Sequence, residues 1–128
     1  MVYFNIGSCL QDIKVKIKNM TKDRILCDQA LMADTFLLRG LGLMFRKEWK
    51  DFNGFLLMPC GSIHTCCMRI PIDVCFLDRE RKILKVVKRL GPWKFVSGGK
   101  GSHATLELPE GTVQRTETEA GDKLEIES

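Results

Sequence analysis

Ile13, Val15 and Ile17 alternate with Lys14, Lys16 and Lys18, the period-two pattern of a strand with one buried and one wet face. A polar turn over residues 19–23 follows, and residues 24 to about 32 predict a second strand that forms a hairpin with the first. Asp34 or Thr35 can cap a short helix to about residue 41 by accepting hydrogen bonds from the free amides of its first turn. Residues 46–53 mix charges with Trp49 and Phe52 and read as a surface loop pinned by its aromatics. Short apolar runs then predict strands over 55–58 and 63–68, separated by the breaker at 59–61. Residues 71–78 and 82–89, rich in Val, Ile and Leu around a charged centre at 79–81, predict a β-hairpin. Gly91-Pro92 breaks the chain, and residues 97–102 read as a glycine-rich loop leading into a strand over 103–108. Pro109 suits a first helical turn, so residues 109 to about 117 predict a short helix or turn. A tight turn at 120–122 precedes a last strand at 123–126.

The sum is a mainly β chain of seven or eight short strands with one or two short helices. At 128 residues it is a single domain, with residues 1–12 as a loosely ordered N-terminal segment. Hydrophobic residues make up 45% and charged ones 28%, which excludes a disordered or collagen-like polymer. No run reaches the length of a membrane-spanning helix. The start lacks a basic region and a long apolar stretch, so a cytoplasmic location is expected, and six cysteines there are expected to be reduced thiols. Net charge is +4, but residues 110–128 carry six acids and two bases, leaving a basic body. At this size such a charge reports solubility more than nucleic-acid binding.

An ordered set of segments is more specific. Arg39-x-x-Gly42-Leu43-Met44-Phe45-Arg46, Gly54-Phe55-Leu56-Leu57, Ser62-Ile63-His64-Thr65-x-x-Met68 and Pro71-Ile72-Asp73-Val74-x-Phe76-Leu77-Asp78 come first. Pro92-Trp93-Lys94, Leu106-Glu107-Leu108-Pro109-x-Gly111-Thr112 and Gly121-Asp122-x-Leu124 follow. Together they resemble the family called domain of unknown function 192 (uncharacterised protein family UPF0127). The resemblance covers about residues 13–128 and implies a compact, jelly-roll-like or barrel-like β domain with no established activity. Gly42, Met44, Pro71, Gly111, Gly121 and Asp122 are its structural motif positions. Cys66 and Cys67 depart from the pattern, which places bulky residues there.

Chemistry is sparse. Cys60, Cys66, Cys67 and Cys75 with His64 invite a zinc reading, yet there is no C-x-x-C, and neighbours on a strand point to opposite faces. Small core hydrophobes are the simpler account, and neither a metal nor a cofactor is expected. The glycine loop lacks the phosphate-loop spacing, since Lys94 and Gly101 occupy two of its required positions. His64, Cys66 and Met68 share one strand face in this reading, with Ile63, Thr65 and Cys67 on the other, and one of the two faces is wet or lines a cavity. Asp73 falls inside an apolar strand and requires a partner, with an Arg39–Asp73 pair as the first expectation. Trp93 is either a flat ligand-covering ring or a ring packed on the core.

The favoured function is a non-catalytic binding domain. Its shallow site of Arg39, His64, Asp73 and Trp93, with Met68 beside them, would take a small polar or anionic ligand, a carbohydrate among the candidates. The alternative is a protein-interaction domain whose motif residues are structural. A hydrolase-type enzyme, with His64 as general base oriented by Asp73, ranks third and requires the two side chains within hydrogen-bond reach.

Overall fold

The computed structural model describes residues 14–33, 49, 52–65 and 68–127. Among them are nine strands and one helix: β1 (Lys14–Asn19), β2 (Arg24–Ala33), β3 (Gly54–Leu57), β4 (Ser62–His64), β5 (Ile72–Leu77), β6 (Ile83–Leu90), β7 (Phe95–Ser97), β8 (Ala104–Pro109), α1 (Thr112–Thr116) and β9 (Leu124–Glu127). The helix expected to start at Asp34 or Thr35, the N-terminal segment and Cys66–Cys67 lie outside the described residues.

Seven strands form one sheet in the order β6-β5-β8-β3-β2-β1-β9, and β4 pairs with β7 in a separate small sheet. The alternating lysines hold to expectation: Val15 and Ile17 are buried, and β1 pairs antiparallel with β2 as the predicted hairpin. β5 and β6 form the second predicted hairpin. The β2–β3 pair is parallel. Register shifts in the β1–β2 and β5–β6 ladders mark bulges, which increase local twist. The sheet curls into a half-barrel whose two edge strands meet at one end. There, Ile83 donates to the Asp122 carbonyl at 2.8 Å and Leu124 to the Arg81 carbonyl at 3.0 Å.

This curl splits the core in two. Inside the half-barrel lie Val15, Ile17, Leu26, Cys27, Leu56, Cys75, Leu77, Ile83, Leu106, Leu108 and Leu124, with Val113 of α1 packed among them. The outer face carries Leu31, Phe55, Leu57, Ile72, Val74 and Phe76, covered by Phe52, Ile63 and Met68, with Val96 packed alongside. The small sheet is thus a second layer, and every residue of β5 is buried because both of its faces are covered. It is fastened where Cys60 donates to the His103 carbonyl (2.7 Å) and Gly98 to the Gly61 carbonyl (2.9 Å). Gly98 needs to be glycine, because a Cβ there would sit 2.6 Å from Phe76 Cβ and collide with Ser102 Oγ.

Two local expectations change. The strand expected over 63–68 ends at His64, because Thr65 turns inward to bind another segment. Residues 95–97, left between a breaker and a glycine loop, form β7 by pairing with β4.

Candidate functional site

Asp73 is 1% exposed. It pairs in register with Leu108, which packs inside the half-barrel, while its neighbours Ile72 and Val74 face the outer layer. An ionised carboxyl in such a place requires strong hydrogen bonding. Three backbone amides supply it: Arg89 N–H to Oδ1 (3.0 Å), and Gly111 N–H (3.1 Å) and Val113 N–H (2.9 Å) to Oδ2. Two of these donors open helix α1, whose N-cap Gly111 has φ 94° and no side chain of its own to cap it. Asp73 therefore caps the helix from across the fold, satisfying amides that otherwise lack a partner. Among the described residues, the partners of Asp73 are these backbone amides; Arg39, the cation expected for it, lies outside the described residues, as do Gly42 and Met44.

His64 ends β4, with Ile63 beside it pointing into the outer-layer core and its own side chain exposed. Asp73 faces the opposite side of the large sheet. The His64–Asp73 pairing required by the hydrolase reading is therefore overturned, and with it the gathering of both residues in one pocket. Met68 is buried beneath the small sheet rather than sharing the exposed face of His64.

Trp93 is 69% exposed and Phe95, missed in the sequence, is 72% exposed. Phe95 lies directly opposite His64 in the β4–β7 register. Trp93 adopts φ 62°, a left-handed conformation costing about 1–2 kcal/mol for a residue with a Cβ. Thr65, fully buried, holds it there. The Thr65 hydroxyl donates to the Gly91 carbonyl (2.7 Å) and accepts from Lys94 N–H (2.8 Å), while its carbonyl accepts from Trp93 N–H (3.1 Å). Phe95 and His64 thus stand on the small sheet, and exposed Trp93 sits on a pinned turn two residues before Phe95.

Two further groups shape the electrostatics. Asp122 sits in a buried network, accepting from Asn19 Nδ2 (2.9 Å), Lys22 Nζ (3.1 Å) and Glu119 N–H (3.1 Å). Burial disfavours its charge, but these hydrogen bonds and the Lys22 ammonium outweigh that and lower its pKa. Glu107 is 5% exposed, and burial pushes its carboxyl up to about 8. Its Oε1 has no hydrogen-bond partner among the described residues.

The profile of DUF192, described as "Uncharacterized ACR", matches residues 15–126. The chain belongs to the DUF192 family. A UPF0127 protein of Pyrococcus furiosus is 32% identical over 112 residues, covering 84% of this chain and 94% of that one. Another, from Thermococcus sibiricus, is 32% identical over 114 residues, covering 85% and 73%. A crystal structure of a protein of unknown function from Novosphingobium aromaticivorans shares the fold with a TM-score of 0.78 at 24% identity, covering 98% of this chain and 91% of that one.

Several DUF192 motif positions now have physical roles. Asp73 and Gly111 join β5 to the helix start, and Asp122 gathers the chain near the seam. Gly121, at φ 98°, turns the chain into that network, while Pro71 is exposed just before β5. Glu107 was the residue most open to discovery: like Asp73, it is an acid between two aliphatic residues.

Proposed function

We propose that this DUF192 chain is a non-catalytic binding domain whose contact surface is the outer face of the small sheet. The exposed Trp93, held in an unfavourable backbone conformation by a fully buried threonine, carries this reading. Backbone strain persists only where the surroundings over-determine it, and it clusters at binding sites. Two exposed rings with a histidine opposite one of them suit a small polar ligand with an apolar face. A saccharide fits best: its C–H face stacks on Trp93 and Phe95, and its hydroxyls exchange hydrogen bonds with His64. Arg39 belongs to the same proposal as the group that would favour an anionic ligand. A reducing, cytoplasmic setting accompanies it, in keeping with the free thiols of Cys27, Cys60 and Cys75.

Calorimetry and tryptophan fluorescence with gluco-, manno- and galacto-configured oligosaccharides, nucleotides and citrate test the idea. Saturable binding that disappears in W93A and F95A, with folding retained, is the expected result. No binding across the set, or binding unchanged in both variants, would overturn it. The second reading, a docking face for a protein, is favoured by the large apolar exposure of Phe95. It predicts self-association or complex formation that the same two variants abolish while the saccharides do nothing.

A further inference from the structure

Glu107 is a different problem from the exposed rings. It lies in the middle of β8 with Phe55 of β3 opposite it on one side and Val74 of β5 on the other. Paired residues of neighbouring strands share a face, so its carboxyl emerges among the apolar residues of the outer layer. A buried polar atom left without a partner costs about 1–3 kcal/mol, and native folds rarely keep one without a use. Leucine would fill this position more cheaply.

An aromatic cluster begins at the same place. The Phe55 ring meets Phe52 edge-on with centroids 6.0 Å apart, and Phe52 meets Trp49 in the same way at 5.5 Å. Trp49 is only partly buried, so the cluster runs from the residue opposite Glu107 toward solvent. Aromatic faces attract organic cations, and a carboxylate supplies the counter-charge and accepts N–H hydrogen bonds. An anion could take a hydrogen bond only from the protonated acid and would be repelled by the ionised form. A metal ion is poorly served, since the described residues contain no group of three His, Cys, Asp or Glu side chains able to hold one.

We propose that Glu107 and the Trp49–Phe52–Phe55 cluster form a binding site for a small organic cation, an alkylammonium or guanidinium group with an apolar body. The buried carboxyl meets the incoming N–H donors, and the rings flank the apolar body. Because burial favours the neutral acid, binding near neutral pH ionises Glu107 and passes its proton to the buffer. The same chemistry arrives as a free amine or as a lysine or arginine side chain of a protein.

The probes are n-butylammonium and n-butylguanidinium, with butanol and butyrate as controls, titrated into the full chain by calorimetry in two buffers of different ionisation heat. Binding of both cations with proton release, and none of butanol or butyrate, is expected. E107Q should weaken it at least about tenfold, the loss of one charge-assisted contact. E107Q and E107L should melt no lower than the parent, which separates lost binding from lost folding. A Gly-Lys-Gly peptide that binds more tightly than butylammonium assigns the site to a protein side chain; equal or weaker binding assigns it to a free amine. Butanol binding as well as the amines, no cation binding at all, or full binding in E107Q would overturn the proposal. Saccharide binding at Trp93 is expected to be unaffected in E107Q, so the two sites fail independently.

Discussion

Replacing Asp73 with alanine removes one carboxylate and strands three buried N–H donors, those of Arg89, Gly111 and Val113. Each hydrogen bond to a charged acceptor contributes about 1.5–3 kcal/mol, offset in part by no longer burying the carboxylate. A net loss of about 4 kcal/mol follows, a large share of the 5–15 kcal/mol typical of a domain. Asparagine keeps one acceptor oxygen. Oriented toward Gly111 and Val113, it leaves only Arg89 N–H facing an amide nitrogen, for a loss of about 1–2 kcal/mol. Urea unfolding followed by circular dichroism measures both. D73A should melt about 10–20 °C below the parent, with D73N between them. Because the described partners of this buried carboxyl are uncharged backbone amides, the parent's advantage over D73A should change little between low and high salt. A D73A loss below about 1 kcal/mol, equal losses for the two variants, or an advantage that salt erases would refute the reasoning.

Four further outcomes are expected. W93G should gain about 1 kcal/mol in urea unfolding, since glycine accepts the positive φ without strain; a loss would show that the exposed ring supports the fold. G98A should lose about 1–3 kcal/mol, because the new methyl meets Phe76 in a filled core, and unchanged stability would mean the small sheet shifts freely. Asp122 titrates below its ordinary value of 3.8, so the stability it adds is present above that pH and fades as pH falls through the lower folded value. D122N should flatten this acid limb of the stability curve, and an identical limb would exclude the network as its source. Burial pushes the thiols of Cys27 and Cys75 up to about 12, leaving almost no thiolate at pH 8. In native protein, iodoacetamide mapped by mass spectrometry should reach partly exposed Cys60 well before either, and equal rates would contradict the burial.

What the sequence made legible was periodicity. The lysine alternation of β1 and the aliphatic runs of β5 and β6 stand because each reports burial through local spacing alone. β7 escaped because three residues between a proline turn and a glycine loop become a strand only when β4 arrives beside them. Thr65 broke the alternation after His64 for a similar reason: its partners, Gly91 and Lys94, lie 26 and 29 residues away. The need of Asp73 for partners is legible in its apolar neighbours, but the three amides that supply them are not, because backbone N–H groups carry no signature in composition. Glu107 shows in the sequence only as an acid between two leucines, since one strand cannot announce that a second layer covers its other side. Among the sequence-selected site residues, His64 stands exposed on the small sheet and Trp93 on the turn before it, whereas Asp73 and Met68 are buried.

The meeting of β1 with β9 has a consequence for how the chain reaches this state. Lys16 lies opposite Glu127 and Asn19 opposite Leu124, so the half-barrel joins segments from opposite ends of the chain. Such non-local pairing must cover the entropy of closing a very long loop before its contacts repay anything, which places folding in the millisecond-to-second range rather than microseconds. The β5–β6 hairpin closes over a handful of residues and is the natural nucleus, while β9 zips on late. Conservative mutations in β9 should therefore accelerate unfolding and leave the refolding rate nearly untouched.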